Sequence, residues 1–80
     1  MNKKKIEDEL ISLYRKYMED TEVVLLSDTK MTDIEISSVD YIKVIIDIEN
    51  EFNFEFDDDD LLPDRFEVVK DMVDYIYDKI

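Results

Sequence analysis

The residues able to carry chemistry in this chain are its serines and its many carboxylates. The sequence has no His, no Cys and no Gly. It therefore lacks a Ser-His-Asp triad, a Cys or His zinc centre, a thiol nucleophile and a glycine-rich phosphate loop. Carboxylates are so numerous that no pair stands out as an acid–base couple. This inventory argues against an enzyme.

Two serine arrangements remain to be weighed. A serine nucleophile needs a base, and the Ser-x-x-Lys spacing occurs once, at Ser27 and Lys30, in a segment that implies no oxyanion donors. Ser37 and Ser38 instead precede an apolar helical segment, and Ser37 with Asp40 resembles a capping box. A hydroxyl at a helix N-terminus also suits a phosphodiester, because free amides and the helix dipole favour negative charge. For two adjacent serines a cap is the usual role, and spacing alone does not decide between a cap and a modified serine.

The run of four aspartates at residues 57–60 first suggests a calcium loop. An EF-hand loop needs Gly at its sixth position and Glu at its twelfth. Counted from Asp57 these positions hold Leu62 and Val68, so the pattern fails. Counting from Asp58 also fails. The run predicts a solvated acidic turn, with at most weak and non-specific binding of divalent cations.

Length and charge narrow the class of protein. A chain of 80 residues with a net charge of -13 fits one small domain, residues 1–80, that nucleic acid and anionic membranes repel. Residues 21–80 hold five basic and 18 acidic side chains, so all of the net charge lies there. No apolar run reaches the ~20 residues that span a bilayer, and the start MNKKKIEDEL lacks the apolar region of a secretory signal. We expect an acidic, cytoplasmic interaction domain.

The elements that position Ser37 and Ser38 are predicted from apolar spacing. Ile6, Leu10, Leu13 and Tyr17 form the stripe of a first helix capped by Asn2. A long loop follows, in which residues 23–26 form either a short strand or apolar contacts to the core. The second helix starts at the two serines and runs to residue 52. Its apolar face is wider than one stripe, which predicts cover on more than one side.

The C-terminal half contains one ambiguity and one clear helix. Phe52, Phe54 and Phe56 alternate with polar residues, so they form either a strand or a loop with aromatic anchors. A short helical turn fits before Pro63. Asp64 and Glu67 have the spacing of a capping box for the last helix, whose stripe is Val69, Met72, Val73, Ile76 and Ile80.

Residues 31–76 carry four motifs in a fixed order. They read MTDIEISSVD at 31–40, YIKVIIDIENEF at 41–52, NFEFDDDD at 53–60 and VVKDMVDYI at 68–76. These segments resemble the acyl and peptidyl carrier protein superfamily. Its pattern is Leu-x-Asp-Leu-Gly-x-Asp-Ser-Leu/Ile-Asp, an apolar helix ending in Glu-x-Glu-Phe, then Gly-Ile-Glu-Ile-x-Asp-Glu-Asp and Thr-Val-x-Asp-x-Ile-x-Tyr-Ile. The joint match is far more specific than any one motif.

The resemblance implies an all-α carrier-protein bundle of three longer helices and one short helix, with a long loop between helices I and II. It implies that Ser38 carries 4'-phosphopantetheine, transferred from coenzyme A by a phosphopantetheinyl transferase, and that the Phe52–Phe56 segment is a loop. Partner enzymes with basic patches would read the second helix and the residues after it, at Asp40, Lys43, Asp47, Glu49, Glu51, Glu55 and Asp58. Candidates to line a shelter for an acyl chain are Ile46, Phe54, Phe56, Leu61 and Leu62, which also suit an ordinary core.

Three positions depart from the family pattern. Ser37 replaces an Asp that transferases often contact, Glu35 replaces a Gly, and Lys43 replaces an acid. The register set by Asp40 and Phe52 favours Ser38 over Ser37 as the modified residue.

From the resemblance we expect a monomeric, free-standing acyl carrier in fatty-acid or lipid metabolism. The alternatives are an aminoacyl or peptidyl carrier of secondary metabolism and an unmodified acidic protein-binding module.

Overall fold

Three α-helices form the regular structure of this protein. The structure is a computed structural model that describes residues 1–20 and 22–80, without the side chain of Pro63. The helices are α1 (Lys3–Arg15), α2 (Ser38–Phe52) and α3 (Val69–Lys79). The described residues contain no strand beyond an isolated bridge between Lys30 and Val68, so residues 23–26 and the Phe52–Phe56 segment are not strands. The all-α prediction is confirmed at this level.

The loops between the helices contain short 3-10 turns. They comprise Met31–Asp33, Asp58–Asp60 and Pro63–Arg65. The last two flank Leu61 and Leu62, where the sequence predicts one short helical turn that Pro63 ends. Pro63 instead begins the second of these turns, as its fixed backbone dihedral allows.

The caps of α1 and α2 follow the sequence. Asn2 Oδ1 accepts a hydrogen bond from the Lys5 amide at 2.9 Å, and Ser37 Oγ accepts one from the Asp40 amide at 3.1 Å. Each cap satisfies an amide that the helix itself leaves unpaired. At its other end α2 closes on Asn53, which adopts the left-handed conformation with φ 56°. Asn is one of the few residues with a side chain that visit this region readily.

The start of α3 corrects the sequence prediction. The helix begins at Val69, and Asp64 and Glu67 do not form a capping box for it. The amides of Val69 and Lys70 instead donate to the carbonyl oxygens of Thr29 and Ser27, at 3.0 and 2.8 Å. The long loop between α1 and α2 therefore supplies acceptors that cap the last helix.

Further bonds at this junction tie the loop and α3 together. The Met31 amide donates to the Glu67 carbonyl at 2.9 Å, and the Val68 amide donates to the Asp71 carboxylate at 3.2 Å. Met31 and Ile34 are buried, so they pin the loop to the core as their isolated apolar character predicts. Between Ser27 and Ile34 the loop is thus held against the start of α3 and against the core.

A single cluster of buried apolar side chains joins the three helices with the loops. The predicted faces are confirmed in part: α1 buries Tyr14 rather than Leu13 and Tyr17, which are half-buried. In the predicted stripe of α3, Ile80 is exposed. No charged or polar residue is buried among the described residues. The fully enclosed members are Ile6, Leu10, Val44, Ile48, Met72 and Ile76. The core holds the N-terminal end of α2 in place while leaving its first residues at the surface.

Candidate functional site

The two serines at the start of α2 have separate roles. Ser37 is the cap, and its hydroxyl is engaged by the Asp40 amide. Ser38 is the first helical residue and is exposed, and no described residue bonds its hydroxyl. The Asp40 and Tyr41 amides are taken by Ser37, whereas those of Ser38 and Val39 have no partner among the described residues. The structure therefore leaves one hydroxyl and two amides available at this helix end.

Ser38 lies at the edge of a cleft of about 250 Å³. The cleft is bounded by the loop segment before α2, by one tyrosine of α1 and by one tyrosine of α2. Its lining residues are Tyr14, Met31, Thr32, Ile34, Ile36, Ser37, Ser38 and Tyr41. The walls are mainly apolar, and both serines are part of the lining.

The two tyrosines of this cleft differ in their hydrogen bonds. Tyr14 donates its hydroxyl to the sulfur of Met72 at 3.9 Å. Tyr41 is only 8% exposed, yet its buried hydroxyl has no partner among the described residues. Burial, followed by the negative charge of Asp64, raises the pKa of Tyr41 above its ordinary value. Tyr41 is thus a protonated, unused hydrogen-bond donor at neutral pH.

The outer side of α2 carries a row of exposed apolar side chains. Val39, Ile42 and Ile46 are 63%, 59% and 50% exposed and follow one another at helical spacing. We call these three residues the α2 stripe. The prediction that α2 is covered on more than one side is therefore wrong for the chain by itself. The unusual width of the apolar face was the sequence signal for this stripe.

The five candidates for an acyl shelter are not brought together. Ile46, Leu61 and Leu62 are exposed, so they line no interior space. Phe56 is buried and stacks on Tyr75 with ring centroids 5.4 Å apart, and Phe54 packs on Phe56 at 5.0 Å. The two phenylalanines thus fill the space beside α3 with aromatic rings.

The predicted partner-binding residues divide into two groups. Asp47 accepts the hydroxyl of Tyr17 and pairs with Lys16 at 3.3 Å, and Glu49 accepts the Phe56 amide at 2.9 Å. These two carboxylates therefore have structural contacts of their own. The others remain at the surface or at its edge, namely Asp40, Lys43, Glu51, Glu55 and Asp58. Of these, Asp40 and Lys43 lie on α2 within two turns of Ser38.

Within the described residues, no group of three or more acidic side chains is placed to hold a metal ion. None of the described helices combines the length and hydropathy needed to cross a membrane. A search against known protein families finds none that matches this chain.

Proposed function

We propose that this protein is a carrier protein whose Ser38 bears 4'-phosphopantetheine. The observation that carries the proposal is the division of labour between the two serines. Ser37 caps α2, which leaves the Ser38 hydroxyl free and exposed at a helix N-terminus. The sequence resemblance over residues 31–76 supplies the identity of the group. On this proposal the protein is not itself an enzyme.

The start of α2 fits a phosphodiester on Ser38. The amides of Ser38 and Val39 have no described partners, and a helix of 15 residues places the positive end of its dipole there. Both effects favour a negative group at this position. When bound, the arm would supply a thiol that holds acyl cargo as a thioester. The chain itself has no Cys, so the arm would bring the one thiol present.

The surface beside Ser38 suits transient docking to partner enzymes. The α2 stripe offers apolar contact next to the modified residue, and Asp40 and Glu51 on the same helix are acidic. Such a surface fits a partner with an apolar patch inside a basic rim, as a phosphopantetheinyl transferase or a loading enzyme would need. Charge steering makes this association fast and sensitive to salt.

The placement of the apolar side chains bears on the cargo. A long alkyl chain needs an enclosed apolar space, but Ile46, Leu61 and Leu62 are exposed and Phe56 stacks on Tyr75. We therefore favour short or polar acyl groups, with aminoacyl cargo as the second candidate. Parallel loading with an acyl-carrier synthetase and an amino-acid adenylating enzyme separates the two. Efficient loading of long fatty acids would contradict this preference.

Intact mass after incubation with coenzyme A and a broad-specificity phosphopantetheinyl transferase tests the site. We expect wild type and Ser37→Ala to gain one phosphopantetheine and Ser38→Ala to gain none. A gain that survives Ser38→Ala and disappears in Ser37→Ala would move the site to Ser37. No gain with several transferases would favour an unmodified acidic module that binds partners through the α2 stripe, with function surviving Ser38→Ala.

A further inference from the structure

We propose that the cleft beside Ser38 binds the first segment of the arm attached there, with the Tyr41 hydroxyl as its hydrogen-bond donor. This inference rests on the proposed function and adds a binding residue to it. The arm would lie against the loop segment before α2 whenever no partner draws it out. Tyr41 would be a positioning residue for the arm and would take no part in its transfer.

The starting point is the hydroxyl that lacks a partner. A buried hydroxyl without a hydrogen bond destabilises a fold, and a phenylalanine would fill the same space without that penalty. Tyr14 lines the same cleft and does have an acceptor, the sulfur of Met72. Of the two buried tyrosine hydroxyls at this cleft, the hydroxyl of Tyr41 is the one that has no hydrogen-bond acceptor among the described residues.

The cleft has the chemistry of the segment that follows the phosphate in the arm. That segment carries two methyl groups on a quaternary carbon, then a hydroxyl and an amide carbonyl. Met31, Ile34 and Ile36 offer an apolar wall for the methyl groups. The Tyr41 hydroxyl is enclosed by the protein before loading, so on this proposal the cleft wall opens as the arm enters, and the hydroxyl then donates to one of the two oxygens. The attachment point, Ser38, lines the same cleft, so the segment enters it without crossing exposed surface.

The size of the cleft agrees with this short segment. A volume of about 250 Å³ has room for the part of the arm that follows the phosphate. The distal amide and the thiol would remain outside. The arm would thus be held near its root, while its reactive end stays accessible to enzymes.

Arm and partner would use different sides of α2. Successive helical residues are about 100° apart, which places Tyr41 well away from the line through Val39, Ile42 and Ile46. Tyr41 is buried toward α1, whereas the α2 stripe faces outward. A partner can therefore dock on the stripe while the arm is still held in the cleft.

Thermal unfolding of unloaded and loaded protein tests the role of Tyr41. We expect loading with coenzyme A and a transferase to raise the Tm of wild type by several degrees and to raise that of Tyr41→Phe by less than half as much. Unloaded Tyr41→Phe should unfold at or above the wild-type Tm, because the unpaired hydroxyl is gone. Tyr75→Phe is the matched control, since it removes a partnered hydroxyl that lies outside the cleft and should keep the wild-type gain on loading.

Amide chemical shifts supply a second readout on the same samples. In wild type, loading should move the signals of residues 31–36 and of Tyr41, whereas in Tyr41→Phe the changes should stay near Ser38. Equal Tm gains in wild type and Tyr41→Phe, or an equal loss of the gain in Tyr75→Phe, would overturn the inference. A chain that never gains the arm by mass would instead overturn the proposed function, and this inference would fall with it.

Discussion

The C-terminal end of α2 meets a closed group of aromatic rings, whereas its N-terminal end meets an open cleft. At the closed end, Phe56, Phe66 and Tyr75 pack with centroid distances between 5.3 and 6.5 Å. The Tyr75 hydroxyl accepts the Asp57 amide, and Lys79 pairs with the Asp57 carboxylate at 2.7 Å. At the open end, the hydroxyls of Ser38 and Tyr41 lack partners among the described residues.

The contrast separates stability from function along one helix. Where rings and charges are mutually satisfied, the residues contribute to holding the fold and offer little to a ligand. At the other end, a hydroxyl and two amides have no described hydrogen-bond partners and the α2 stripe is exposed. These groups can form favourable contacts with a ligand or a partner protein. Substitutions at the two ends should therefore differ in kind.

The largest expected loss of stability follows a substitution in the aromatic group at the closed end, at Phe56. Phe56→Ala should lower the free energy of unfolding by about 3–5 kcal/mol, because it removes a buried ring and leaves a cavity against Tyr75. Ile42→Ala at the open end should change it by only about 0.5 kcal/mol or less, since that side chain is exposed. Urea titration of both variants measures the difference. Similar losses would break the contrast between the two ends.

An intermediate effect is expected from the cap of α2. Ser37→Ala should cost about 1 kcal/mol of stability, because the Asp40 amide loses its acceptor. Ser38→Ala should leave stability within about 0.5 kcal/mol of wild type, because that hydroxyl has no described partner. The same urea titration compares the two neighbours. A larger loss from Ser38→Ala would show that the roles of the two hydroxyls are reversed.

The smallest expected effect is a change in how strongly low pH destabilises the protein when Asp47 is replaced. The hydrogen bond from Tyr17, helped by Lys16 and opposed by burial, holds the pKa of Asp47 below its ordinary value of 3.8. A carboxyl with a lowered folded-state pKa stabilises the protein above its unfolded-state pKa, and this stability is lost as pH falls through the folded-state value. Asp47→Asn should therefore lose less stability than wild type when the pH is lowered below 3.8.

Asp58→Asn is the control for that measurement. The Asp58 side chain is exposed and makes no described ion pair. The stability that Asp58→Asn loses when the pH is lowered should therefore equal the stability that wild type loses. The comparison uses urea titrations above and below the ordinary carboxyl pKa. A steeper acid loss in Asp47→Asn than in wild type would contradict the sign of the pKa shift.

Local sequence signals predicted the parts of this fold that depend on neighbouring residues. The caps by Asn2 and Ser37 and the buried face of α3 follow from spacing within a few positions. The capping box of Asp64 and Glu67 failed because carbonyls at Ser27 and Thr29, about forty residues earlier, compete for the same helix end. No local pattern encodes that competition.

The candidate site was predictable to a different degree at each residue. Ser38 was singled out by the joint match over residues 31–76, with the register set by Asp40 and Phe52. Tyr41 was not singled out, because an unpartnered hydroxyl is a property of the packing of Met31, Ile34 and Tyr14 around it. The exposure of Ile46 was missed for the same reason, since its spacing is compatible with either face of a helix.

The hydrogen bonds between the long loop and the start of α3 also set an order of events during synthesis. The carbonyls of Ser27 and Thr29 and the amide of Met31 find their partners only when residues 67–70 have left the ribosome. Until then, Leu25, Met31 and Ile34 are exposed on a nascent chain that cannot close its first loop. The loop segment that forms the wall of the cleft therefore gains these bonds only once the start of α3 has emerged, and a chain stalled before residue 67 would lack them.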